Sequence, residues 1–99
     1  MLNIDKKAEG KNLEMALTGR LDTTTAPELE KEVKDNIQGV KNLTFDFASL
    51  EYISSAGLRV LLSAQKIMNK QGGMVVKNAS DEVKEIFEVT GFSDILTIE

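Results

Sequence analysis

The stretch Asp46-Phe47-Ala48-Ser49-Leu50-Glu51-Tyr52-Ile53-Ser54-Ser55-Ala56-Gly57-Leu58 decides how the chain is read, because it carries a strand into a helix and leaves two serines at the junction. A hydroxyl in the first turn of a helix lies beside backbone N–H groups that lack acceptors and at the positive end of the macrodipole, where a phosphate is well received. Ser54 and Ser55 occupy that place. The plain alternative is that one of them only caps the helix.

Working back from the junction, Leu43, Phe45 and Phe47 alternate with Thr44 and Asp46, the pattern of a half-buried strand ending near Asp46. Leu2 and Ile4, then Leu13, Met15 and Leu17, alternate in the same way around the turn-forming Glu9-Gly10-Lys11-Asn12, which predicts an antiparallel hairpin. Thr25-Ala26-Pro27-Glu28 reads as a capping box with Pro in the first turn of a helix that carries Leu29, Val33 and Ile37 and stops near Gly39.

Working forward, Arg59, Ser63, Lys66 and Lys70 fall on one face of a helix from Ser55 to about Lys70, while Leu58, Leu61, Leu62, Ile67 and Met68 fill the rest. Leu58, Leu61 and Leu62 are expected to pack on the sheet. Gly72-Gly73 ends this helix, Met74-Val75-Val76 forms a strand, and Ser80-Asp81-Glu82 opens a third helix. A short final strand is expected over Ile95 to Ile98. The sum is an α/β chain, one domain over residues 1–99, with a mixed sheet of an N-terminal antiparallel hairpin plus parallel strands and helices mainly on one face. The Asp46-to-Ser55 connection then lies beyond the carboxyl end of a parallel strand, where open α/β sheets place their sites.

Composition narrows the chemistry. The 99 residues contain no Cys and no His, which leaves no means for disulfides, thiol catalysis, thiolate or imidazole metal ligation, or a His general base. No cofactor is expected. A net charge of −4 argues against direct nucleic-acid binding. Met1-Leu2-Asn3-Ile4-Asp5-Lys6-Lys7 has no long apolar run, and no membrane-spanning stretch follows it, so a cytoplasmic protein is expected. Ser63-Ala64-Gln65-Lys66 matches a bare Ser-x-x-Lys pattern without the motifs that accompany it in hydrolases, and reads as a solvated helix face. A hydrolase based on Ser55 would lack a group to activate the hydroxyl, so the chain is not read as an enzyme.

The Asp46–Leu58 segment resembles the signature of the STAS domains of anti-sigma factor antagonists, in which an acidic residue ends a strand, a short hydrophobic loop follows, and a serine before Gly-Leu is phosphorylated. Gly19-Arg20-Leu21-Asp22 with Ala26 and Leu29, and Val89-Thr90-Gly91-Phe92, resemble two further patches of that family in the same order. Ser54 stands where many relatives carry Asp, and Ala56 where many carry a second hydroxyl residue.

The resemblance implies Ser55 as the phosphorylation site, with Ser54 as the secondary candidate, and Asp22, Ser54, Ser55, Ala56 and Gly57 as the partner-binding residues. Gly57 would let a partner's active site approach the serine, and Asp22 would lie near it. The implied partners are an anti-sigma factor with serine kinase activity, bound in the unphosphorylated state and released on phosphorylation, and a serine phosphatase that restores binding. Sigma-factor-dependent transcription would be the output. A second reading keeps the fold as a scaffold or ligand-sensing module in a stress or envelope-lipid system that is never phosphorylated.

Overall fold

A computed structural model describes residues 2–99. Strands β1 (Leu2–Glu9) and β2 (Asn12–Leu21) form the hairpin, helix α1 (Ala26–Asn36) leads to β3 (Asn42–Ile53), helix α2 (Ser55–Gln71) to β4 (Gly73–Lys77), and helix α3 (Asp81–Thr90) to a 3-10 turn at Phe92–Asp94. The sheet order is β1-β2-β3-β4, antiparallel in the first pair and parallel in the other two. Each crossover steps one strand along the sheet in the same direction, so α1 and α2 fall on one face. The mixed α/β architecture is the one expected. No helix among the described residues is long and apolar enough to cross a membrane.

The alternation sorts the two faces. Leu13, Met15, Leu17, Leu43, Phe45, Phe47, Met74 and Val76 are buried beneath the helices. Their strand neighbours Glu14, Thr44, Asp46, Val75 and Lys77 are half-exposed on the open face, where Lys77 pairs with Glu14 at 3.6 Å. Phe47 links the layers, with ring centroids 6.1 Å from Phe45 and 6.4 Å from Phe87 of α3. An ion pair between Lys6 and Glu32 ties β1 to α1.

Four local expectations are corrected. Strand β3 does not end near Asp46. It loses β4 as a partner there but stays paired with β2 up to the Leu21–Ile53 pair, with irregularities between Ala16 and Thr18 and between Gly19 and Arg20. At each one β3 has an extra residue, so Phe47, Leu50 and Ile53 face the core at every third position. That spacing hides the strand from a search for strict alternation.

The expected final strand shrinks to a single parallel bridge between Val76 and Ile98, because Gly91 in a left-handed conformation turns the chain into the 3-10 segment first. Leu62 is only half-buried, and the α2 face toward the core is completed by Ala64, Gln65 and Met68. The Gln65 side-chain NH2 donates to Asn69 Oδ1 at 2.8 Å, while its buried Oε1 has no protein partner among the described residues. At α1, Pro27 sits in the first turn as expected, but Thr25 makes no side-chain cap bond into the helix. Its hydroxyl is used elsewhere, as described below.

The Gly72-Gly73 pair has a packing explanation. A Cβ on Gly72 would lie 1.8 Å from the Lys41 carbonyl oxygen, which accepts the Gly73 N–H at 2.8 Å. Beside it, the Gln71 side-chain amide donates to the carbonyls of Ile37 and Val40, each at 2.7 Å, fixing the turn between α1 and β3.

Candidate functional site

The site is built where β2 and β3 end together. Leu21 and Ile53 are the last paired residues, both buried, and the Ser54 N–H donates to the Leu21 carbonyl at 2.8 Å. That bond brings the residues after each strand, Asp22 and Ser54, side by side at the carboxyl edge of the parallel pair.

Asp22 opens a tight turn. Its Oδ1 accepts the N–H groups of Thr24 at 3.0 Å and Thr25 at 3.1 Å, and its carbonyl accepts the Ala26 N–H at 2.8 Å. The Thr25 hydroxyl, nearly sealed from solvent, donates to the Arg20 carbonyl at 2.8 Å and accepts the Asp22 N–H at 2.8 Å. The hydroxyl thus latches the turn to the end of β2, which is why no capping box forms. The Thr25 N–H, supported by that of Thr24, holds the Asp22 carboxyl below the ordinary carboxylate value. Asp22 therefore acts locally as a turn-forming carboxylate, and it stays ionised beside the helix.

The two serines divide the work at the start of α2. Ser54 is the N-cap, with extended backbone (φ −98°, ψ 175°), its carbonyl accepting the Leu58 N–H at 2.9 Å and its Oγ the Gly57 N–H at 3.4 Å. Ser55 is the first helical residue, is exposed, and its hydroxyl has no protein partner among the described residues. The first helical acceptor, the Ser54 carbonyl, is taken by the Leu58 N–H, so the N–H groups of Ser55 and Ala56 have no carbonyl within the helix and remain available to an anion.

Ala56 is half-buried and lines a groove of about 200 Å³ between α1 and α2, with Thr23, Pro27, Glu30, Arg59 and Val60 along it. Gly57 differs from expectation. It is buried, and a Cβ there would meet Leu21 Cγ at 2.6 Å, Leu21 Cδ2 at 2.9 Å and Ile53 Cγ1 at 3.0 Å. Its missing side chain lets α2 sit against the ends of β2 and β3, so the room it provides is toward the core.

Asp22, Ser54, Ser55 and Ala56 thus share one end of the molecule, with Gly57 as the floor beneath them. Asp46 belongs elsewhere. Its Oδ1 accepts from Asn78 Nδ2 at 3.1 Å and the Ala48 N–H at 3.0 Å, and these bonds, Asn78 first, lower its carboxyl below the ordinary value. Asp46 supports the first β3 irregularity and the loop after β4. Ser63 and Lys66 lie exposed on α2. Two contributors escaped the sequence reading. Thr25 reads in the sequence as a helix cap, which hides its use as a latch on the Asp22 turn, whereas Arg59 stands four residues beyond Ser55, a spacing that puts both on one helix face.

Comparison with known proteins bears on the family and the fold. The STAS domain family matches residues 3–99. BtrV of Bordetella bronchiseptica, provisionally named an anti-sigma factor antagonist, is 37% identical over 84 residues, which is 83% of this chain and 72% of that protein. The anti-sigma-B factor antagonist of Bacillus subtilis is 28% identical over 98 residues, covering 98% of this chain and 90% of its own length. Among solved structures, the Bacillus cell fate determinant SpoIIAA in its phosphorylated form superposes with a TM-score of 0.76 at 16% identity, covering 98% of this chain and 91% of that one.

Proposed function

This chain belongs to the STAS domain family, and from that premise we propose that it is an anti-sigma factor antagonist whose binding is switched at Ser55. In the unphosphorylated state the end of the molecule carrying Asp22, Ser54, Ser55 and Ala56 binds an anti-sigma factor that is also a serine kinase. The kinase transfers the γ-phosphoryl group of ATP to Ser55 Oγ. The new O–P bond replaces the bond to ADP, and the hydroxyl proton leaves to a base of the kinase. A phosphatase hydrolyses the phosphoserine and resets the cycle. The protein is the substrate in this scheme and supplies no catalytic group.

The observation that carries the reading is the unequal use of the two serine hydroxyls. Ser54 Oγ is committed to the Gly57 N–H, whereas Ser55 Oγ is exposed and unpartnered. Modifying Ser54 would sacrifice a cap worth roughly 0.5–2 kcal/mol, and modifying Ser55 costs the fold nothing comparable. A phosphate on Ser55 would meet the start of α2, where an anion gains about 0.3–1 kcal/mol. Arg59, one turn on, stands within reach of an i,i+4 pairing with it.

Against a partner shaped around a neutral hydroxyl, the same group introduces a charge of about −1.5 to −2. Buried charge defects of this kind cost roughly 2–5 kcal/mol, or about 30-fold to several thousand-fold in affinity. Incubation with ATP and the cognate anti-sigma kinase, followed by peptide mapping, tests the assignment. Phosphate is expected on Ser55, and Ser55→Ala should bind the kinase but stay unmodified. Phosphate on Ser54 would reject the assignment, and no transfer to either serine would favour the scaffold reading.

A further inference from the structure

Helix α3 carries a second stripe that meets the core only through the half-buried Ile86. Val83 and Phe87 are buried, while Glu82, Glu85, Ile86, Val89 and Thr90 recur at helical spacing on another face and, with Tyr52 of β3, line a shallow cavity of about 490 Å³. Val89 is 80% exposed and Tyr52 37%. The ring of Tyr52 is held from the β2 side by the Arg20 guanidinium, 4.5 Å from its centroid. An adjoining cavity shares Glu82 and adds Glu51 and Asp81. The result is an apolar strip with a carboxylate rim.

The charge on this face is not explained by the helix itself. Asp81 and Glu82 sit in the first turn, where the macrodipole favours them, but Glu85 lies beyond that turn, and the last turn carries no basic residue. None of the ion pairs among the described residues involves α3. With four carboxylates and one lysine, ten residues hold a net −3 of the chain's −4.

We propose that the stripe formed by Tyr52, Ile86 and Val89 between Glu82 and Glu85 is a second docking surface, which takes a basic amphipathic segment of a partner protein independently of the state of Ser55. The apolar side of such a helix covers the strip, and its lysines or arginines complete the carboxylates of the rim.

The probe is a pair of capped 16-residue peptides with Leu at helical i, i+3, i+4, i+7 spacing, one with Lys at the remaining positions and one with Glu, titrated into the isotope-labelled full chain at low salt. The Lys peptide should bind at least about tenfold tighter than the Glu peptide, with amide shifts centred on Tyr52, Glu82, Glu85, Ile86 and Val89. Val89→Lys and Glu85→Lys, at exposed positions beyond the first turn of α3, should each weaken it by about fivefold or more without lowering the melting temperature, and Ser55→Asp should leave it unchanged. Equal affinity for both peptides, shifts centred elsewhere, or sensitivity to Ser55→Asp would overturn the proposal. Self-association abolished by Val89→Lys would instead assign the stripe to a second copy of the chain and would also overturn it.

Discussion

Replacing Gly57 by Ala separates a packing role from a binding role for this residue. A Cβ at position 57 would stand 2.6 Å from Leu21 Cγ and 3.0 Å from Ile53 Cγ1, where carbon atoms prefer about 3.5–4.0 Å. The overlap is therefore about 1 Å with Leu21 and half that with Ile53. Neither neighbour can yield freely, because both are fully enclosed and their backbones are paired, with Ser54 bonded to the Leu21 carbonyl.

Overpacking of this kind costs about 1–3 kcal/mol, and the gain in helix propensity from Gly to Ala returns at most about 1 kcal/mol. The net expectation is a loss of about 1–2 kcal/mol, which for a domain of this size lowers the melting temperature by about 4–16 °C. Urea denaturation of Gly57→Ala against the parent measures it, together with titration of the anti-sigma kinase at a temperature where both proteins are folded. An unchanged or raised stability would refute the packing argument. Lost binding with full stability would return Gly57 to the role of clearing a path for the partner.

Thr25→Ala should cost about 1–3 kcal/mol in the same assay by stranding the Arg20 carbonyl and the Asp22 N–H, while Thr25→Ser, which keeps the hydroxyl, should recover most of it. Phosphorylation of Ser55 should leave the melting temperature equal or slightly raised while kinase affinity falls about 30-fold or more, and a large drop in melting temperature would mean that the modification acts by unfolding. Asp22 and Asp46 have folded carboxyl pKa values below 3.8, so their contribution to stability is complete above that value and is lost as pH falls through the lower folded values. Carboxyl-carbon NMR titration should find both protonating below the ordinary Asp value, and Asn78→Ala should move Asp46 back upward without moving Asp22.

The amino-acid sequence alone determined the order of elements from β1 to α3, the two faces of the sheet and the place of the two serines at the start of a helix. These follow from local periodicity: Leu13, Met15 and Leu17 or Leu43, Phe45 and Phe47 can bury one face only as strands, and Ser54-Ser55 before an apolar helical run can only begin a helix. The absence of Cys and His likewise narrows the chemistry open to the chain. Tertiary structure decided what depends on a neighbouring strand or turn. The irregular pairing with β2 moved the core positions of β3 to Phe47, Leu50 and Ile53 and carried the strand to the serines. The Leu21 carbonyl anchored Ser54 as the cap and left Ser55 free, the Arg20 carbonyl drew Thr25 away from its helix, and the side chains of Leu21 and Ile53 gave Gly57 its reason. A hydroxyl or a missing Cβ is assigned by whichever group lies opposite it, and in this fold those groups are supplied by residues that the chain brings together only on folding.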